Sequence, residues 1–174
     1  MIDLSTGVFT IDANRNLGIK PFLTKEELLL SDLSAYGYKE DLSKSKYIFL
    51  SSLTIDGFPM TMEIHIGRKN YIDEIILRTQ EASKQWIQEE DLIGNAYEIK
   101  QKHDEFLMKQ TGLGKDFFDK GKDFRLETNW GSISSIIDMT SEQDIHISIR
   151  YRNLTDEEKN KYLILGKNYL NAKK

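Results

Sequence analysis

The sequence predicts an α+β protein built mainly on an antiparallel β-sheet. Several segments alternate apolar and polar residues with the period of two that half-buried strands have. Turn residues such as Asp56-Gly57 separate neighbouring segments, which favours hairpins. The apolar spacing changes to that of a helix over about residues 85–111 and again over about 155–171. At 174 residues, we expect one domain spanning positions 1–174.

The first half of the chain is predicted to contain a strand, a short helix and three more strands. The first strand covers residues 7–12, where apolar and polar side chains alternate. Thr24 and Glu27 have the spacing of a capping box, which predicts that a short helix begins at residue 25. Residues 36–46 are polar and contain a glycine, so we predict a loop there. The three strands that follow are predicted at 47–55, 58–66 and 71–79.

The second half is predicted to follow the same order, with strands that are closed by one helix. In the last predicted strand, Ile145 and Ile147 lie on one face while His146, Ser148 and Arg150 lie on the other. Because both halves consist of strands followed by a helix, a structural duplication is one interpretation of this order. The predicted strands of this half are 124–128, 130–138 and 145–151.

The composition limits the compartment and the chemistry. The chain contains no cysteine, which removes disulfides, thiolate metal sites and thiol nucleophiles and fits a reducing cytoplasm. No run of 18 apolar residues is present, and the first residues lack a basic stretch before an apolar one. We therefore expect a cytoplasmic protein with no signal peptide and no membrane span.

The net charge of -4 bears on the choice of partner. It argues against DNA or RNA as the main partner, because proteins that bind phosphates usually present a basic face. It is compatible with a basic protein partner, since complementary charge speeds association. Solubility alone also explains this charge, and it is the simpler explanation.

No catalytic signature stands out. His65, His103 and His146 are the only histidines, and none has the short spacing to other ligands that zinc sites use. The segment 131–135 is not a nucleophile elbow, and 112–115 lacks the spacing of a phosphate loop. We predict neither an enzyme nor a metal or cofactor site. An enzyme that uses His65 or His146 with a nearby carboxylate is kept as an alternative hypothesis.

Two acidic runs are the predicted partner-binding residues. Glu89, Glu90 and Asp91 form the densest run, although negative charge is also favoured at the start of a helix on electrostatic grounds alone. Glu40 and Asp41 lie in the predicted loop, where we expect them to be exposed.

One segment carries a family resemblance. Asn129 to Ser135, then Asp138, then Ile145 to Tyr151 resemble a W-G-x-I-x-S-x-x-D strand followed by an I-x-I-x-Y strand in small bacterial proteins. His103 to Leu107 resembles their H-D-x-[FW]-L segment, and 56–59 resembles their D-G-x-P hairpin. Such proteins are often immunity proteins of contact-dependent inhibition and related polymorphic toxin systems. The resemblance implies that this chain binds the C-terminal domain of a cognate toxin, often a nuclease, and blocks its active site.

The element order also resembles that of the Whirly family, whose members have two β-rich repeats, each ending in a helix, and bind single-stranded DNA. Plant members carry a K-G-K-A-A-L motif, which Lys120-Gly121-Lys122 matches for three residues only. Binding of single-stranded nucleic acid is therefore the alternative function.

Overall fold

The computed structural model describes residues 1–12, 17–49, 53–67, 70–79, 92–118, 123–138, 144–152 and 155–172. These residues form an α+β structure with mostly antiparallel strands, which confirms the predicted fold class. The strands are β1 (Phe9–Asp12), β2 (Leu17–Ile19), β3 (Tyr38–Asp41), β4 (Lys46–Phe49), β5 (Leu53–Ile55), β6 (Phe58–Ile66), β7 (Ile72–Thr79), β8 (Phe124–Glu127), β9 (Gly131–Asp138) and β10 (Asp144–Tyr151). The helices are α1 (Lys25–Leu29), α2 (Leu92–Thr111) and α3 (Asp156–Ala172), and short 3-10 turns cover Asp32–Tyr36 and Lys115–Phe117.

Eight of the strands form one sheet with the order β3-β4-β6-β7-β10-β9-β8, and β5 pairs with the start of β6. Every pairing in this sheet is antiparallel. The strands of the first half join those of the second half where β7 pairs with β10. The remaining strands, β1 and β2, form a separate hairpin. The proposed duplication of the two halves stays a prediction, as does the single domain over 1–174.

Two parts of the secondary-structure prediction were wrong. Tyr38–Asp41, predicted as loop, is an outer strand of the sheet, and Leu17–Ile19 forms a strand that was not predicted. Strand β3 exposes both of its middle residues, so it lacks the alternation that identifies a half-buried strand. The predicted strand 47–55 is described as β4 and β5, which both pair with β6. The predicted start of the long helix, 85–91, lies outside the described residues.

The core lies on one face of the sheet, beneath α2 and the N-terminal segment. Helix α2 contacts β7, β9 and β10, and its buried side chains include Ala96, Ile99 and Phe106. The N-terminal hairpin and α1 add Phe9, Ile19 and Leu28 to the same core. The predicted capping box of α1 is confirmed, because the Thr24 side chain accepts from the Glu27 amide and the Glu27 carboxylate accepts from the Thr24 amide.

The segment that carries the family resemblance is a packing element at the start of β9. Trp130 is fully buried, and its Nε1 donates to the carbonyl oxygen of Leu4 at 2.9 Å. Its ring centroid lies 5.8 Å from that of Tyr151, whose hydroxyl donates to the carbonyl oxygen of Gly7. Strand β9 is thereby attached to the N-terminal segment, so the motif has a structural role.

Candidate functional site

The second face of the sheet is polar. Residues paired across antiparallel strands point to the same face, and the register pairs Glu63 with Ile76 and Ile76 with Ser148. We call this side the polar face. It carries the following charged or hydroxyl-bearing residues: Lys39, Lys46, Thr61, Glu63, His65, Glu74, Arg78, Arg125, Glu127, Ser132, Ser134, His146, Ser148 and Arg150. The prediction that His146, Ser148 and Arg150 share one face is confirmed.

A chain of ion pairs crosses the centre of the polar face. Lys46 on β4 contacts Glu63 on β6 with Nζ 2.9 Å from Oε2. Arg78 on β7 donates to Glu63 Oε1 through Nη1 at 2.8 Å, and it donates to both oxygens of Asp144 on β10 through Nε and Nη2. Positive and negative side chains alternate along this series, and their charge-assisted hydrogen bonds join four strands.

The two histidines of the polar face each lie beside one of these carboxylates. His65 Nε2 is 3.5 Å from Glu63 Oε2, and His146 Nδ1 is 3.0 Å from Asp144 Oδ2. The structure thus places both histidines of the enzyme hypothesis near a carboxylate, although the two carboxylates are separate and joined through Arg78.

The ion pairs keep both carboxyl groups ionised. The His65 imidazole, the Lys46 ammonium and the Arg78 guanidinium together lower the pKa of Glu63 to about 2, against the effect of its burial. Burial raises the pKa of Asp144, but the guanidinium of Arg78 and the neighbouring His146 outweigh it and leave that pKa well below its usual range. A general acid or base works best with a pKa near the working pH. These pKa values have moved away from neutrality, so the arrangement favours a structural or binding role.

A second set of ionisable groups lies buried on α2. Lys100 Nζ donates to both oxygens of Asp104 at 2.7 Å, one helical turn away. His103 is fully buried, and its Nε2 accepts from the backbone amide of Thr79 at 3.2 Å. His103 is therefore a core residue. Desolvation is the main cause that lowers the pKa of His103 to about 3, and the neighbouring His146, Lys100 and Arg78 act in the same direction.

This buried histidine predicts a loss of stability in mild acid. The unfolded chain takes up a proton at His103 below a pH of about 6.5, whereas the folded state takes it up only near its lowered pKa. The unfolded state therefore binds more protons in this window, and stability falls as the pH falls. Between pH 8 and pH 5, His103 alone should lower the free energy of unfolding by about 2 kcal/mol.

The variant His103→Gln isolates this contribution, because an amide oxygen can still accept from the Thr79 amide but does not titrate. Urea unfolding at a series of pH values measures the free energy of unfolding. Between pH 8 and pH 5 this free energy should fall by about 2 kcal/mol less in the variant than in the unmodified protein, so its slope against pH is flatter. Equal slopes in the two proteins would contradict the assignment.

The predicted partner-binding residues Glu40 and Asp41 lie on β3 and not in a loop. Glu40 Oε1 accepts from Lys25 Nζ at 2.8 Å and from the Tyr47 hydroxyl at 2.9 Å. Asp41 Oδ1 accepts from the amide and the hydroxyl of Ser43. The other predicted residues, Glu89, Glu90 and Asp91, lie outside the described residues.

An apolar residue that the sequence reasoning missed lies beside these two acids. Leu42 begins the turn from β3 to β4 and is 78% exposed. We call Glu40, Asp41 and Leu42 the acidic hairpin. A large aliphatic side chain at a turn between strands was the available signal, because turns usually carry polar residues.

No group of three or more His, Asp and Glu side chains in the described ranges has the arrangement of a metal site. None of the described helices combines the length and the apolar composition that crossing a membrane requires.

Comparison with known proteins finds no match to a protein-family model, to a curated protein or to a solved structure. The class is therefore defined by the structure itself: an α+β protein whose antiparallel sheet has one face in the core and one polar face. The resemblances to bacterial immunity proteins and to the Whirly family stay predictions.

Proposed function

We propose that this protein is an immunity protein, which binds the C-terminal domain of a cognate bacterial toxin and blocks it without catalysis of its own. The family resemblance of residues 129–151 suggests the class of protein. The acidic hairpin is the observation that carries a protein-binding role, because it combines exposed negative charge with an exposed apolar side chain. We further propose a cytoplasmic location, where an immunity protein meets its toxin.

The carboxylates of the acidic hairpin are held in place before any partner arrives. Each is fixed through a single oxygen, which leaves Oε2 of Glu40 and Oδ2 of Asp41 without a hydrogen bond inside the described part of the chain. Hydrogen bonds from Lys25 and Tyr47 lower the pKa of Glu40, and those from Ser43 lower the pKa of Asp41, so both stay negative at neutral pH. Fixed groups lose less conformational entropy on binding than mobile ones.

The position of the acidic hairpin also favours contact with a protein. Strand β3 pairs only with β4 among the described strands, so it forms an edge of the sheet. Leu42 provides an apolar contact at the tip, and the two carboxylates attract a basic surface such as that of a nuclease. We also propose Glu89, Glu90 and Asp91, which lie outside the described residues, as contacts to this partner.

The function is tested by co-expression with the neighbouring open reading frame and by affinity purification from the native host. We expect the neighbour to encode a toxin that this protein binds and neutralises. If the neighbour is no toxin and no toxin-like protein is recovered, the proposal fails.

The contact residues are tested with Glu40→Gln and Asp41→Asn, which keep the hydrogen-bond acceptors and remove the charges. At low salt we expect the double variant to associate with the toxin about tenfold more slowly. Glu105→Gln, which neutralises an exposed carboxylate on α2, is the matched control and should not change the rate. An unchanged rate for the double variant would remove the acidic hairpin from the interface.

A further inference from the structure

One corner of the polar face combines exposed arginines with serines whose hydroxyls have no partner among the described residues. The register aligns Arg125 on β8 with Ser134 on β9, and it aligns Ser132 on β9 with Arg150 on β10. Adjacent strands lie about 4.8 Å apart. The two serines therefore lie between two strands that each carry an arginine. We call Arg125, Ser132, Ser134 and Arg150 the arginine–serine corner.

The serines form the floor of this corner. Ser132 and Ser134 are each only 9% exposed, although they lie on the polar face of the sheet. Within the described residues, neither hydroxyl takes part in a hydrogen bond. Neither hydroxyl oxygen is fully enclosed, so both can be reached from the solvent. By contrast, the hydroxyl of the neighbouring Ser148 donates to Glu74 at 2.6 Å. Two hydroxyl groups at the bottom of the corner are thus free to bind something above them.

The arginines form the sides, and most of their donors are free. Arg125 and Arg150 have side chains that are 66% and 62% exposed. Arg125 uses Nε for Glu127, and Arg150 uses Nη2 for Glu74. A guanidinium group has five N–H donors, so several on each arginine remain available.

We propose that the arginine–serine corner binds the phosphate group of a small molecule. A phosphate above Ser132 and Ser134 would accept hydrogen bonds from both hydroxyls and from Arg125 on the neighbouring strand. Arg150, whose Nη2 donates to Glu74 on β7, would reach the phosphate by turning back across β10. Arginine suits such a ligand because its planar fork pairs with phosphate oxygens through two hydrogen bonds. The donors outnumber what the two oxygens of a carboxylate can accept, which favours a phosphate with three free oxygens.

The charges around the corner limit the size of the ligand. Arg125, Arg150 and Arg152 face the carboxylates of Glu74 and Glu127. Asp73 also lies near enough to Arg150 to interact with it, so the corner has no large excess of positive charge. A single phosphate group, which depends on the local hydrogen-bond donors, suits such a surface. A long polyanion would extend beyond the corner onto a protein with a net charge of -4.

Phosphate binding can be measured by NMR titration of the full-length ¹⁵N-labelled protein. The probes are inorganic phosphate and phenyl phosphate, with sodium acetate and sodium chloride as controls at matched ionic strength. We expect saturable shifts of the amides of Arg125, Ser132, Ser134 and Arg150 with both phosphates. Equal shifts with acetate or chloride, or no saturable shift at about 20 mM phosphate, would overturn the proposal.

Variants separate the corner from general charge effects. Arg150→Gln should weaken phosphate binding about tenfold or more, and Arg150→Lys should recover part of the loss. Ser134→Ala should weaken it by about two- to tenfold, the range for one neutral hydrogen bond. Lys39→Gln removes the same charge from the β3 end of the polar face and is the matched control, which should bind as the unmodified protein does.

Glu127→Gln gives a result that a structural role alone would not produce. Glu127 lies directly opposite Ser132 and repels an anion there, so its neutralisation should strengthen phosphate binding about threefold or more. Equal effects of Lys39→Gln and Arg150→Gln would overturn the proposal. Tighter binding of a 12-nucleotide single strand than of phenyl phosphate would also overturn it and assign the corner to nucleic acid.

Discussion

Replacing Arg78 with methionine should lower the free energy of unfolding by about 3–5 kcal/mol at neutral pH. The guanidinium group holds two carboxylates on two different neighbouring strands, Glu63 on β6 and Asp144 on β10, and the Arg78 side chain is only 17% exposed. Methionine keeps much of the length of the side chain but removes every donor. The two carboxylates would then lie partly buried without their shared partner, which is costly in a protein interior.

The matched control is Arg125→Met. Arg125 also pairs with a glutamate on the polar face, but its side chain is mostly exposed, and exposed ion pairs contribute at most about 1 kcal/mol. Urea unfolding of both variants at pH 7 measures the difference. A loss below about 1 kcal/mol in Arg78→Met would show that the pairs across the polar face are as solvated as ordinary surface pairs.

We also expect Arg78→Met to change the stability of the protein in acid. The folded-state pKa of Glu63 is lowered to about 2, and that of Asp144 is lowered as well. Their contribution is present above the unfolded pKa values, near 4, and is lost as the pH falls toward the folded values. Arg78→Met should therefore lose less stability than the unmodified protein between about pH 4.5 and pH 2.

Replacing Gly131 with alanine should destabilise the protein by about 3 kcal/mol or more. A methyl group at this position would overlap the backbone carbonyl oxygen of Arg150 on β10. Neither partner can move independently, since Gly131 pairs with Tyr151 where β9 begins and β10 ends, and the preceding Trp130 is buried against Tyr151. Overpacking costs about 1–3 kcal/mol where side chains can adjust, and a backbone obstacle places this site at or above that range.

Gly114→Ala provides the control, because a methyl group at Gly114 would meet nothing within 4 Å. Thermal unfolding should show a large decrease in Tm for Gly131→Ala and little change for Gly114→Ala. If both variants melt at nearly the same temperature, the close approach of β9 and β10 at Gly131 does not limit stability. The glycine that follows Trp130 would then need another explanation.

The periodicity of apolar residues and the turn residues were sufficient to predict most of the strands and helices. Strands β6, β7, β9 and β10 alternate clearly because one face is buried and the other is wet, and they lie within one or two residues of their predicted bounds. Helix α3 was also predicted to within a residue, because the spacing of its apolar residues depends only on local geometry. Strand β3 was missed, since an edge strand with both middle residues exposed has no burial pattern to detect.

The candidate sites were less accessible to sequence reasoning. Arg78 and Asp144 are 66 residues apart in the chain, and neither was a candidate before the pairing of β7 with β10 placed them together. Ser132 and Ser134 lie in a segment that the sequence excluded only as a nucleophile elbow, and the arginines beside them depend on which strands neighbour β9. Glu40 and Asp41 were chosen for their charge alone, and the structure adds the exposed Leu42 next to them.

Local patterns in the chain thus determine which segments are strands or helices and which residues of each strand are polar, because these properties follow from the periodicity of side-chain direction. They also determine that the isoleucines of β10 share one face, which lies in the core. The order of the strands decides the rest: which charges pair across the polar face, and which arginines flank the unpartnered serines. That order results from the combined packing of the sheet, α2 and the N-terminal segment, which joins residues that are distant in sequence.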